Sequence, residues 1–234
     1  MTTIGFATIA EAPRDDVVPA IREMLPSDIR VVERGNLNGL SAGEIAALAP
    51  EAGEVGIVAR LRSGGETLLS QRKILPRMQR LVDELVQDEG AELVVILCGA
   101  DWSAIQSPEL VVNPGKLFPG VVAALAQGRK LGVIKPSAGQ VATERARYAR
   151  LGIEAVVTSA SPYQGEERLA LARAAAEELR EAGCELIWMT CIGMDEPMRE
   201  VVAGITGKPV LLARSVLGRV IGELVASPRP ALVG

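Results

Sequence analysis

The chain has 234 residues, 48% of them hydrophobic, which is enough apolar material for one large domain or two small lobes without disulfide or metal staples. Its 25 basic and 29 acidic residues give a net charge of −4 with no long single-sign run, which speaks against nucleic acid or an anionic membrane as a partner. Histidine is absent, so imidazole triads, HExxH zinc sites and histidine acid–base chemistry are excluded, and protons must move through Cys, Asp, Glu, Lys, Tyr or water.

The first residues, MTTIGFATIAEAPRDD, read as an apolar strand over 3–7 entering a polar turn, without the basic start and cleavage site of a secretory leader. A helix is expected over 15–24, a strand over 29–33 and a second helix over 41–48. The segment 53–69, GEVGIVARLRSGGETLL, reads as an antiparallel hairpin around Ser63-Gly64-Gly65. A helix over 76–87 leads to a strand over 93–97, followed by a helix over 118–126 and a strand over 131–134. Helices over 139–150, 165–181, 196–203 and 215–225 then alternate with strands over 155–158, 186–190 and 210–213. The strands are short and continuously apolar, as suits strands buried on both faces, so the fold class is α/β with mainly parallel sheets. No apolar run reaches the roughly 18 residues of a membrane span. Three cysteines, an odd number in a chain with no export signal, imply reduced thiols and a cytoplasmic setting.

An internal repeat organises this alternation. Gly90-Ala-Glu92-Leu93-Val-Val-Ile-Leu-Cys98 corresponds to Gly183-Cys-Glu185-Leu186-Ile-Trp-Met-Thr-Cys191, and the identical positions are all 93 residues apart. Each copy follows a charged helix, runs through an apolar strand and ends on a cysteine. The copies read as matching strands of two similar lobes. Ligands bind beyond the carboxyl ends of parallel strands, so two facing lobes would present both thiols to one small molecule. One thiolate can take a proton from a carbon acidified by a carboxylate while the opposite thiol returns one to the other face. Cys184, at the far end of its strand, is expected to pack in the core.

The residues also resemble a family. Similarity to the AroM group of the Asp/Glu/hydantoin racemase superfamily runs through Thr8-Ile9, Pro13-Arg14-Asp15-Asp16-Val17, Gly35-x-Leu37-x-Gly39-Leu40-Ser41, Arg60-Leu61-Arg62-Ser63-Gly64 and Leu97-Cys98. It continues through Leu131-Gly132-Val133-Ile134-x-Pro136, Ser161-Pro162-Tyr163 and Cys191-Ile192-Gly193-Met194. The resemblance implies two α/β lobes related by a pseudo-twofold axis, an active site between them and no metal or organic cofactor. Residues 1–113 with 214–234 would form the first lobe and 114–213 the second. Cys98 and Cys191 match the positions of the acid–base cysteines in members that racemise amino acids or hydantoins; relatives include maleate cis–trans isomerases and arylmalonate decarboxylases. Amino-acid racemases usually continue the first cysteine with Asn-Thr and the second with Thr-His. This chain has Cys98-Gly99-Ala100-Asp101-Trp102 and Cys191-Ile192-Gly193-Met194-Asp195, which points to a different substrate.

Candidate ligand contacts surround the thiols. The backbone amides of Gly99, Ala100, Ile192 and Gly193, at helix N-termini expected to follow both strands, would receive a carboxylate. Thr8 is a carboxylate contact or a turn hydroxyl, and Arg14 offers a bidentate carboxylate grip or begins a helix with Asp15 and Asp16. Arg60 is an anion contact or the solvated side of a strand, and Tyr163 a ligand contact or a ring packed in a turn. Asp101 and Asp195 either orient the thiols or cap helices, and Lys135 is a solvated turn residue rather than a Schiff base. The expected activity is a cofactor-independent racemase or epimerase of a small carboxylate-bearing compound. The alternatives are a one-cysteine isomerase or decarboxylase and a non-catalytic small-molecule-binding accessory protein. Homo-oligomerisation is left open.

Overall fold

The computed structural model describes residues 2–226. The last eight residues of the expected first lobe, 227–234, lie outside the described residues. Two four-stranded parallel sheets carry the chain, and a two-stranded antiparallel arm is inserted in sequence within the first of them.

The first sheet has the order β2 (Arg30–Gly35), β1 (Thr3–Thr8), β5 (Leu93–Leu97), β6 (Leu110–Val112). The second has the order β10 (Val210–Leu212), β9 (Leu186–Met189), β7 (Leu131–Lys135), β8 (Ala155–Ser159). Read from the other edge, the second sheet matches the first strand for strand, and the two repeat strands β5 and β9 occupy the same place, next to β1 and β7 respectively. The arm pairs β3 (Ile57–Arg60) with β4 (Glu66–Leu69), the hairpin expected from the Ser63-Gly64-Gly65 turn.

Strand alternation explains how the two sheets share one core. On β5, Leu93, Val95 and Leu97 face a central cluster while Val94 and Ile96 face outward to α3 (Gln71–Gln87). On β9, Leu186 and Trp188 join the same central cluster, and Ile187 and Met189 face outward with Cys184. The outer cluster is completed by α6 (Glu167–Glu181) and α7 (Glu196–Thr206). Period-two strands buried on both faces therefore tie the lobes together through their inner faces. The final helix, α8 (Ala213–Ala226), returns to pack on α1 (Val18–Arg22).

Several expected boundaries shift. Helix α3 starts at Gln71 rather than residue 76, because Ser70 caps it by accepting from the Lys73 amide, and the helix runs through Pro76. Similarly α4 (Pro114–Leu125) is capped by Asn113 and contains Pro119. One proline near a helix start removes a single amide donor, and the buried stripes behind it, such as Met78, Leu81, Val82 and Leu85, outweigh that loss. Strand β6 was not expected: it has three residues and its Leu110 is exposed, so it carries no apolar run to read. The remaining helices, α2 (Ala42–Ala47) and α5 (Val141–Arg150), lie within or close to their expected ranges. Among the described residues, no helix is long and apolar enough to cross a membrane.

Candidate active site

The carboxyl ends of β5 and β9 border a cavity of about 590 Å³, the usual ligand position in parallel α/β sheets. Cys98, one residue past β5, and Cys191, two past β9, both line it, as do Arg14, Gly99, Ala100, Tyr163, Ile192 and Gly193. The two strand ends come close together, since a Cβ on Gly99 would lie 3.4 Å from the Thr190 carbonyl oxygen. All three cysteines are free thiols, and Cys184 is buried in the outer core of the second sheet.

The surroundings of the two cavity cysteines differ. At Cys98, desolvation pushes the thiol up to about 11, and the nearby Cys191 adds to the rise. The Ala100 amide, the Trp102 indole and the charge of Lys135 work in the opposite direction without overcoming it. The indole N–H of Trp102 is buried without a hydrogen-bond partner and lies near enough to the Cys98 sulfur to favour its thiolate slightly. Cys98 is therefore a neutral thiol at physiological pH.

Cys191 is reached by Tyr163, whose hydroxyl is 3.9 Å from its sulfur. The same hydroxyl lies 3.4 Å from the Arg14 guanidinium, which donates towards it. Burial and the proximity of Cys191 hold the Tyr163 hydroxyl protonated, above the ordinary tyrosine range. The ring fits only because residue 193 is glycine: a Cβ there would sit 2.2 Å from the Tyr163 oxygen.

Three sequence expectations need correction. Thr8 does not line the cavity; its buried hydroxyl accepts from the Ala10 amide and from Arg14, at 3.2 and 3.1 Å, and so fixes the turn and the arginine. Arg60 lies outside the cavity as well: from the β3–β4 arm it pairs at 3.2 Å with Asp16 Oδ1, the same oxygen that Arg14 Nε holds. No helix directly follows β5: the chain passes through residues 98–109 and β6 before α4 begins. The first turn of α4 nevertheless packs on the Cys98 loop, since a Cβ on Gly115 would lie 2.1 Å from the Ala100 carbonyl oxygen.

Arg14 does make a bidentate carboxylate grip, but on Asp16, with both bonds at 2.8 Å. Burial works against its charge, and the Asp16 bonds with the nearby Tyr163 and Cys191 more than offset it, so the guanidinium stays protonated. Asp101 accepts from Ser103 and Asn113 and pairs with Lys116, while Asp195 caps α7 through the Met198 amide and pairs with Arg168.

Sequence reading missed a polar end of the cavity. Lys135 pairs at 3.4 Å with the buried Glu144, which also pairs with Arg147 at 3.5 Å, and all three line the space with Tyr148. The β3–β4 arm reaches across to the second lobe here: Gln140 donates to the Gly56 carbonyl at 3.0 Å, and Ser161 bonds the Glu66 carboxylate. These contacts join residues 84 and 95 positions apart, which no local pattern displays. Phe118, packed edge-on against Trp188 at 5.1 Å between ring centroids, adds an apolar part to the lining.

The model of the family described as AroM protein matches residues 4–225. No curated protein is similar to the chain in sequence. Solved structures share the fold: Picrophilus torridus aspartate racemase at 10% identity, with a TM-score of 0.61 over 98% of this chain and 96% of that one. Unliganded arylmalonate decarboxylase is 16% identical, with a TM-score of 0.59 over 98% and 94%. Allantoin racemase from Pseudomonas fluorescens is also 16% identical, with a TM-score of 0.53 over the full length of both chains.

Proposed function

This chain belongs to the AroM family, and we propose that it is a cofactor-independent racemase or epimerase of a small carboxylate-bearing compound, with Cys98 and Cys191 as its acid–base pair. The observation that carries the proposal is that cysteines from repeat-equivalent strands line one cavity. The fold shared with proteins named aspartate racemase, allantoin racemase and arylmalonate decarboxylase is consistent with it. The same proposal divides the chain into a first lobe of residues 1–113 with 214–234 and a second of 114–213; the packing of α8 on α1 supports this division.

In the proposed cycle Cys191 takes the proton from the carbon next to the carboxylate, the electron pair passing into that carboxylate as an enolate-like state. Cys98, the neutral thiol, then gives its proton to the opposite face. Product leaves with the two sulfurs in exchanged protonation states, and the reverse reaction restores them. Phe118 and Trp188 give the cavity an apolar wall.

A second reading, a one-cysteine isomerase or decarboxylase, draws on the inequality of the two thiols, one facing Trp102 and the other Tyr163. The test incubates a panel of chiral carboxylates with the protein in deuterium oxide and follows loss of the α-proton by NMR. A two-base racemase exchanges that proton in both enantiomers and loses turnover in both Cys98→Ser and Cys191→Ser. Retention of turnover by either variant favours the one-cysteine reading, and activity surviving both alanine substitutions together sinks the proposal.

A further inference from the structure

Two arginines are buried beside the cavity, Arg14 at 3% and Arg214 at 6% exposure, and they differ in one respect. Arg14 has its counter-charge in Asp16. Arg214, in the first turn of α8, spends its guanidinium on three main-chain carbonyls. It donates from Nε to Ile192 at 3.1 Å, and from its terminal nitrogens to Gly193 at 2.7 Å and Asp16 at 2.8 Å. Among the described residues it makes no direct ion pair with a carboxylate; the charges of Asp16 and Asp195 act on it from farther off, and burial outweighs them and pulls its pKa down.

Its placement also sets the direction of the neighbouring peptides. Cys191–Met194 is a turn closed by the Met194 amide on the Cys191 carbonyl at 3.1 Å. With Arg214 on the next two carbonyls, all three acceptors of the turn are occupied. A trans peptide points its N–H opposite its C=O, so holding the Ile192 carbonyl behind the turn sends the Gly193 amide the other way. Neither the Ile192 nor the Gly193 amide has a main-chain acceptor among the described residues, and both residues line the cavity while Arg214 does not. The protonated Tyr163 hydroxyl stands over Gly193 on the cavity side.

We propose that Arg214 is the positioning residue of an oxyanion site, holding the Cys191–Met194 turn so that the amides of Ile192 and Gly193 receive a ligand carboxylate beside the Cys191 sulfur. The inference rests on the reading of Cys191 as a reacting thiol in a carboxylate site. The Arg214 bond into the Ile192 carbonyl polarises that peptide and strengthens the Gly193 N–H as a donor, the Met194 bond into the Cys191 carbonyl does the same for the Ile192 N–H, and a bound anion adds to the carboxylate charges that already act on Arg214. The sequence hides the residue: Arg214 falls in the apolar run Val210-Leu-Leu-Ala213-Arg214-Ser-Val-Leu217, where it reads as one exposed charge at a helix start.

Iodoacetate and iodoacetamide test the site without a known substrate. Each alkylates by the same step, the sulfur forming a bond to the methylene carbon as iodide leaves, so their rate ratio cancels the amount of thiolate and reports recognition of the carboxylate. Peptide-resolved mass spectrometry reads Cys191 and Cys98 separately, with glutathione as the free-thiol reference. In the native protein the iodoacetate-to-iodoacetamide ratio at Cys191 is expected to exceed that of glutathione at least about tenfold, since even one hydrogen bond to a charged group is worth about that much. Arg214→Gln should bring it within about twofold of glutathione, leaving the Cys98 ratio unchanged; Arg214→Lys, with charge but no fork, should fall between. No carboxylate preference in the native protein overturns the proposal, as does a preference undiminished in folded Arg214→Gln. Should the glutamine variant not fold, an undiminished ratio in the lysine variant overturns it equally. Alkylation needs no turnover, so a preference for iodoacetate without deuterium exchange would sink the racemase reading and leave the oxyanion site standing.

Discussion

Replacing Asp16 by Asn isolates the pair that holds Arg14 at the cavity. The carboxylate accepts two bonds from Arg14 at 2.8 Å and one from Arg60 at 3.2 Å, and the Arg14 side chain is only 4% exposed. Removing one partner of a buried ion pair costs about 3–5 kcal/mol, because the other charge stays desolvated. Asp16 itself is 23% exposed, so water softens the loss, and about 2–3 kcal/mol is the expected destabilisation. For a chain of this size that is a fall of about 4–12 °C in Tm. Urea unfolding at pH 7 of the native protein, Asp16→Asn, Arg14→Met and the double variant measures it. The double variant should recover part of the loss, since no buried charge is left unmatched. The pH dependence gives a second reading. Burial raises the Asp16 carboxyl, but the Arg14 bonds and the charges of Arg14 and Arg60 prevail and hold it below its ordinary value of 3.8. A folded-state value below the unfolded one means stability fully present above about pH 4 and lost as the pH falls through the folded-state value. The gap between native and Asp16→Asn stabilities should therefore narrow in acid. A gap of less than about 0.5 kcal/mol at pH 7, or one that fails to narrow, would refute the reasoning.

Cys98, pushed up to about 11 from 9.0, should hold about a hundredfold less thiolate at pH 7.5 than an ordinary cysteine, so its alkylation by iodoacetamide should be slow and still rising at pH 10. A midpoint near or below 9 would contradict that environment, and Trp102→Phe, which removes the indole donor, should slow the reaction further. On α4, Gly115→Ala puts a Cβ 2.1 Å from the Ala100 carbonyl oxygen, whereas the same change at Gly120 meets nothing within 4 Å. Thermal unfolding should show the first destabilised by about 1–3 kcal/mol or more and the second slightly stabilised. Equal Tm values for the two would show that the helix start does not press on the Cys98 loop.

Much of the fold was legible because burial on both faces leaves a mark in sequence. Strands such as Leu93–Leu97 are continuously apolar, and the repeat between 90–98 and 183–191 predicted equivalent strands, which the two sheets contain. Short or interrupted elements were harder to read. The Leu110–Val112 strand is only three residues long and begins exposed, and the helices expected from residues 76 and 118 start earlier, at their caps Ser70 and Asn113.

The site divides in the same way. That two cysteines stand at matching points of a repeat, with no histidine to share their work, follows from residue type and chain distance, which are properties of the string. Which charges meet is a matter of how the chain folds. Arg14 grips Asp16 rather than waiting for a ligand, Thr8 supports Arg14, Arg60 falls outside the cavity, and Arg214 comes 21 residues back along the chain to hold Gly193. Electrostatic pairing and desolvation depend on distances of a few ångströms between segments far apart in sequence, and no local periodicity records them.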